Sequence, residues 1–295
     1  MIAASDRTSL EAAERRRRRR LFLLQMAPVL LFYVLFLVLP YATTVATSFH
    51  RPDPVRIVVR EFTLLNYVQL FTDDFFLHVT GWTVAIAAMV TLATLVMGYP
   101  MAWKIVQSRG RLRSLLLAVV LSPLLVNLVV RTYSWQVVLG ENGVVNGWLA
   151  GLGLIDEPLP LTRNVFAVVV GLAQITLPFM VLSLVSSMET LGADLLEAAE
   201  GLGSTPLRTF REIVWPLTLP GVSAGAILVF CYCTSAFVTP AVLGGGRVAT
   251  IATQIYQQFM FSLNWPLGSA LVVLLLVVNG LFIVGLGRIA RGSST

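Results

Sequence analysis

Glu197-Ala198-Ala199-Glu200-Gly201-Leu202-Gly203, continuing through Arg208, Arg211, Glu212 and Ile213 to Trp215-Pro216, is the one substantial charged segment between long apolar runs in the second half of the chain. From Thr190 to Glu212 it carries Asp194, Glu197, Glu200, Arg208, Arg211 and Glu212, too many charges to lie in lipid. Leu191, Leu195, Ala198 and Leu202 recur at i, i+4, i+7 and i+11, so one face of a short helix is apolar. Gly203-Ser204-Thr205-Pro206 reads as a helix stop and a fresh start, with Pro206 suited to the first turn of the next helix. The spacing predicts two short helices with a bend, held in water between two membrane spans. An element of this kind suits a partner's grip.

The surrounding chain is membrane material. Of its 295 residues 57% are hydrophobic and 12% charged, against roughly 25% charged in a soluble domain; the mean hydropathy is +0.82. Arg15 to Arg20 run directly into Leu21. Beside an apolar segment that run reads as a positive-inside anchor rather than a nucleic-acid patch. Leu21 to Val38 exceeds a signal-peptide core of about 7–15 residues and closes on no clean cleavage site, so an uncleaved first span is expected. It ends near Pro40, with an outside extension through Ser48-Phe49.

Residues 50–78 are polar, and within them Phe62, Leu65, Val68 and Phe71 predict a short helix lying on the membrane surface. Further spans are expected at Val79–Val106, Ser114–Leu139, Asn164–Ser187, Leu219–Leu243 and Ser269–Ile289, each long enough for a hydrocarbon core of about 30 Å. Six spans put both termini on one side. With that side cytoplasmic, 15 of the 21 basic residues lie inside, five lie outside, and Arg131 falls within a span. The bias places the Glu197 segment in the cytoplasm. The expected organisation is a basic cytoplasmic tail at 1–20 and one transmembrane domain at 21–295, with a cytoplasmic loop at 188–217.

Little else suggests chemistry. Cys231 and Cys233 stand two apart in one span, on different helix faces, and read as small apolar fillers. His50 and His78 lie far apart without clustered acidic or cysteine neighbours, so no metal site is expected. The only lysine, Lys104, sits between Trp103 and Ile105, which excludes a phosphate-gripping Gly-Lys-Ser/Thr loop. Gly201-Leu202-Gly203 is a fragment of a dinucleotide fingerprint, with Leu207 at the third glycine position, and Gly244-Gly245-Gly246 follows a span rather than a strand. No nucleophile-base-acid set is visible. The chain is therefore expected to be no enzyme and to hold no cofactor itself; if ATP drives it, ATP and Mg are bound by partner subunits.

The spacing Glu197-Ala198-Ala199, Gly203, Ile213, Pro216 resembles the coupling loop of permease subunits of ABC importers, with Trp215 where that family usually has Leu. The resemblance extends from about Leu64 to Pro266. Asn66-Tyr67, Gly98-Tyr99-Pro100, Val130-Arg131-Thr132-Tyr133-Ser134-Trp135, Leu177-Pro178-Phe179, Phe237-Val238-x-Pro240, Leu243-Gly244-Gly245 and Asn264-Trp265-Pro266 are similar to the spermidine/putrescine-type branch. The resemblance implies an all-α integral membrane protein of six transmembrane helices with type I importer permease architecture. It also implies two ATP-binding subunits docked on loop 188–217 and a second, related permease. An external solute-binding protein and a bacterial inner membrane complete the set, with no role for nucleic acid. The mechanism implied is alternating access.

Within the spans the candidate pathway residues are Asn127 and Arg131, expected at i and i+4 on one helix, with Ser134 and Trp135 continuing that face. Arg131 admits two readings, pathway lining or a structural anchor. Tyr133, Trp135, Tyr232 and Phe237 offer aromatic faces to a cation; Asn279 lines the pathway or bonds a neighbouring helix. The expected spans hold no Asp or Glu except at their ends. Ala236 and Ala241 stand where polyamine relatives often have acids. The cargo is thus a small polar solute, polyamine-like or another small organic. An ion- or proton-coupled carrier is the alternative, and it would favour acidic or histidine relays inside the spans.

Overall fold

The computed structural model describes residues 18, 22, 25–53, 57–191, 195, 199, 201 and 203–292, with the side chains of 57–60 and 289–292 left aside. Five described helices are long and apolar enough to cross a membrane: α1 (Gln25–Ser48), α3 (Asp74–Gln107), α7 (Val165–Met188), α8 (Pro206–Ser235) and α11 (Trp265–Gly292). A sixth crossing is bent: α4 (Gly110–Leu121) with a 3-10 turn to Leu125, then α5 (Leu128–Val138), meet at 98°. Short elements fill the connections: a hairpin of β1 (His50–Asp53) and β2 (Ile57–Phe62), then α2 (Leu65–Thr72), α6 (Val144–Gly151), α9 (Val238–Leu243) and α10 (Ile251–Met260).

The centre of the molecule is the trio α3, α7 and α8. The lipid phase gives no hydrophobic drive for helices to associate, so close backbone approach through small residues must supply the contact. Gly98 of α3 lies against Met180 and Val181; a β-carbon there would stand 3.3 Å from each side chain. Gly221 and Gly225, one turn apart on α8, admit α7 more tightly still. A β-carbon at 221 would sit 2.4 Å from Ser187 Cβ, and one at 225 would sit 2.7 Å from Met180 Sδ. Leu172, Met180, Leu184 and Val229 are buried in this seam. Side-chain capping sets the ends of the long helices: Asp73 accepts from Phe75 N and Asn164 from Ala167 N, both at 2.9 Å.

α11 joins the trio through Phe230 and Phe282, whose rings stack at 3.7 Å, and through Thr234 Oγ1 donating to Asn279 Oδ1 at 2.9 Å. α1 stands apart, with residues 25–43 exposed along every face, and only its C-terminal end packs beside α11. Polar bonds tie that end down. Asn66 Nδ2 donates to the carbonyls of Ser48 and His50 at 2.8 and 2.9 Å, and Ser48 Oγ meets Tyr67 Oη at 2.7 Å.

Three expectations change in detail. Phe62 ends a strand, and the surface helix begins at Leu65; there Asn66 and Leu70 face inward, while Leu65, Val68 and Phe71 remain exposed, as a helix resting on lipid requires. The third span is broken at Val126-Asn127 rather than continuous from Ser114 to Leu139. The fifth begins at Pro206, not Leu219, and stops at Ser235 before the separate helix α9.

Candidate functional site

The bend in the third span faces the end of the fifth, where the chain breaks between α8 and α9. The first break follows from Ser122-Pro123, which tightens the chain into a 3-10 turn, after which Asn127 adopts an extended ψ of 135° and caps α5 by accepting from Val129 N at 2.9 Å. Asn127 is thus the cap of a new helix, one turn before Arg131, whose N–H donates to the Asn127 carbonyl at 3.0 Å. Arg131 reaches back across the bend and donates from its guanidinium to the Pro123 carbonyl. It is 8% exposed, and its Nε has no protein partner among the described residues. The second break falls at Ala236, which is extended between α8 and α9. Ser235 Oγ donates to the carbonyls of Cys231 and Tyr232 at 2.8 and 3.1 Å, the second being one of the acceptors that the helix end leaves open.

α9 packs on α5, so the breaks converge. Leu128, just past the first, joins Tyr232 and Ser235–Thr239 of the second around a cavity of about 190 Å³. Phe237 is shared with a larger outer cleft of about 500 Å³, whose walls include Ala241, Gln254, Tyr256, Gln257 and Phe261. That volume is of the size small-molecule sites occupy. Phe237 and Tyr256 lie 4.3 Å apart, and Tyr256 meets Phe261 edge-on at 5.9 Å. Among the described residues no charged side chain lines either cavity; aromatic faces and two amides do. Toward the other end, α7 and α8 frame an open groove of about 590 Å³ with Ser183, Ser186, Ser187 and Thr190 along one wall.

The remaining candidates from the sequence fall in different places. Tyr232 and Phe237 are brought together at the small cavity. Tyr133 is exposed on α5, and Trp135 donates from Nε1 to Gln174 Oε1 of α7 at 2.9 Å. Asn279 is engaged with Thr234, as above. α10, which supplies Gln254, Tyr256 and Gln257, did not emerge from the sequence. Its signal was a capping box, in which the Thr250 and Thr253 side chains each accept from the other's backbone N–H.

In the charged loop, Glu197 and Ala198 lie outside the described residues. Ala199 is buried, and its carbonyl accepts from Ser204 N at 3.0 Å across Gly203, whose φ of +77° is the left-handed helix stop that glycine adopts without strain. Pro206 then opens α8. Arg208 and Glu212 pair on its exposed side, and five residues, Phe210–Val214, widen into a π turn containing Ile213. Trp215 N bonds the Phe210 carbonyl five residues back, and Pro216 follows directly. A π turn lets the helix absorb that proline, so loop and span become one 30-residue rod. Arg113 and Glu189 make an ion pair at this same end, between α4 and the residue after α7. Among the described residues no three His, Cys, Asp or Glu side chains gather as a metal site.

Comparison with known proteins adds four findings. Residues 94–293 match the family model described as binding-protein-dependent transport system inner membrane component. The spermidine/putrescine transport system permease protein PotB of Escherichia coli (strain K12) is 38% identical over 88% of this chain and 94% of its own length. The molybdenum transport system permease protein ModB of Mycobacterium bovis is 31% identical over 72% of this chain and 80% of its own. Among solved structures, a bacterial alginate ABC transporter in complex with an alginate pentasaccharide-bound periplasmic protein superposes with a TM-score of 0.78. It shares 16% identity and covers 94% of this chain and 96% of that one.

Proposed function

The chain belongs to the family of binding-protein-dependent transport system inner membrane components, the permease subunits of ABC importers, and from that premise we propose that it forms half of a pathway for a small organic solute. The observation that supports this most is the convergence of the bend in the third span and the break after the fifth at the cavity walled by Leu128 and Phe237. Discontinuous helices expose backbone and polar ends at membrane depth only where they line a cavity or are covered by protein. Here they line one, and Phe237 also walls the larger cleft beside it.

Relatives on this one fold are named for spermidine and putrescine, for molybdenum and for alginate, so the fold alone selects no cargo. The chain's own walls favour a small organic amine or another polar organic solute of low charge. Aromatic faces and amides can hold one ammonium group. Stripping water from a polyvalent cation instead calls for paired carboxylates, and none lines either cavity.

Two ATP-binding subunits would dock on loop 188–217 and hold ATP and Mg, a second permease would complete the pathway, and a solute-binding protein would deliver cargo from outside. The basic bias supports cytoplasmic termini: Lys104, Arg113 and Arg208 share the end of the molecule that carries the loop. A carrier driven by an ion gradient is not favoured, because neither cavity presents an acid or histidine for coupling.

The test is uptake by the reconstituted complex, normalised to assembled protein. Phe237→Ala, which removes the shared wall, is expected to lower ATP-driven uptake and alter the ranking among amines of one, two and three charges. Wild-type uptake with an unchanged ranking would remove the paired breaks from the pathway.

A further inference from the structure

Three aromatic rings enclose the point where the charged loop becomes a membrane span. Phe210 is the first residue of the π turn and Trp215 the residue just past its end. Tyr99, from α3, meets both: its ring centre is 5.6 Å from Phe210 at a near-perpendicular 78° and 5.8 Å from Trp215 at 39°. Phe210 and Trp215 close the triangle at 6.3 Å. Tyr99 Oη also lies 3.0 Å from Thr218 Oγ1, and Thr218 is fully buried on α8. One side chain therefore holds both ends of the π turn and the first buried turn beyond it.

The mechanical setting is asymmetric. Beyond Thr218, α8 is locked to α7 by the close approaches at Gly221 and Gly225, and α3 is locked to α7 one residue before Tyr99, at Gly98. Before Phe210 the helix carries exposed Leu207 and Arg208 and leads back to the bend at Gly203. A closely packed seam and an exposed segment thus meet at the one wide turn of α8. A π turn is held in place by its surroundings, and converting it to α geometry re-registers everything before it by one residue, about 100° of rotation.

We propose that Tyr99, Phe210 and Trp215 form the joint that transmits movement of the loop to the span bundle, with Tyr99 as its clasp. The inference rests on the reading that the loop engages the ATP-binding subunits. These are positioning residues: none touches cargo or nucleotide. Their task is to fix the angle at which the loop helix enters the bundle, so that displacement of the loop moves α3 and α8 together instead of flexing the π turn.

The experiment uses the full complex in proteoliposomes, with ATP hydrolysis and cargo uptake measured on the same preparation. Phe210→Ala and Tyr99→Ala are expected to keep binding-protein-stimulated hydrolysis while cargo moved per ATP falls at least about five-fold, the lower range of allosteric coupling between sites. Tyr99→Phe, which keeps the ring and loses the Thr218 bond, is expected to lose less. Phe210→Leu, apolar and similar in bulk, guards against a simple packing defect and is expected to resemble Phe210→Ala. Uptake and hydrolysis falling in proportion to assembled complex, or cargo per ATP at wild-type level in both alanine variants, would overturn the joint. Failure of the loop reading would appear separately, as unchanged coupling in Glu197→Arg.

Discussion

Arg131 shows how one residue is read differently once its neighbours are known. Its sequence position admits a pathway role and an anchoring role. The bend at Val126-Asn127 turns the side chain back onto the carbonyl of Pro123, and 8% exposure leaves little of it for a solute. Geometry supports the anchor. Loss of a charge-assisted bond to the part-buried Pro123 carbonyl is worth up to about 1.5–3 kcal/mol. Arg131→Ala is therefore expected to lower the unfolding midpoint of the purified complex and its yield, with uptake per assembled complex unchanged. Arg131→Lys should recover only part, because an ammonium cannot copy the planar fork. A normal midpoint combined with altered cargo selectivity would return Arg131 to the pathway. The bend had a signal in Ser122-Pro123 that a hydropathy reading of the span passes over. Leu115 to Val130 is an almost unbroken apolar run, and hydropathy reports that a segment prefers lipid, not that it is straight.

At the scale of elements, long apolar helices and helix stops were legible, and interruptions within helices escaped a hydropathy reading. Gly203 was readable as a stop because a left-handed backbone position selects glycine. The join of loop and span was not readable, since charges at 208, 211 and 212 look like the end of a membrane segment. They are instead the exposed end of a helix that continues into lipid. α10 was missed because, at ten residues, it is too short to register as a span. The α7–α8 seam gives an element-scale prediction. Gly221→Ala would place a methyl 2.4 Å from Ser187 Cβ and 2.8 Å from the Ser183 carbonyl, so the helices must part. Overpacking of this kind costs about 1–3 kcal/mol, and a fall in the detergent unfolding midpoint is the expected result. Gly285→Ala, on α11 with nothing within 4 Å, is the control and should leave it unaltered.

For the whole molecule, orientation and energy transfer are the properties that matter. The basic residues counted along the chain predict that a cysteine at Ser204 reacts with an impermeant reagent only from the cytoplasmic side, and one at Asp73 only from outside. Labelling of intact cells at position 204 would invert the topology and remove the loop from the reach of any ATPase. In the sequence the loop was legible through its charges and its spacing. The pathway was not, because it is assembled from residues more than a hundred positions apart, Leu128 and Phe237 among them.

The central claim is that ATP hydrolysis by partner subunits moves cargo through this chain by way of loop 188–217. The most direct measurement is cargo accumulation and ATP turnover in proteoliposomes holding the complete complex, with Glu197→Arg beside the wild type. Accumulation by the wild type is expected only with both ATP and the loaded binding protein. In Glu197→Arg the assembled complex should remain in the membrane, with accumulation uncoupled from hydrolysis. Accumulation driven by an ion gradient without ATP, or full coupling in Glu197→Arg, would contradict the account.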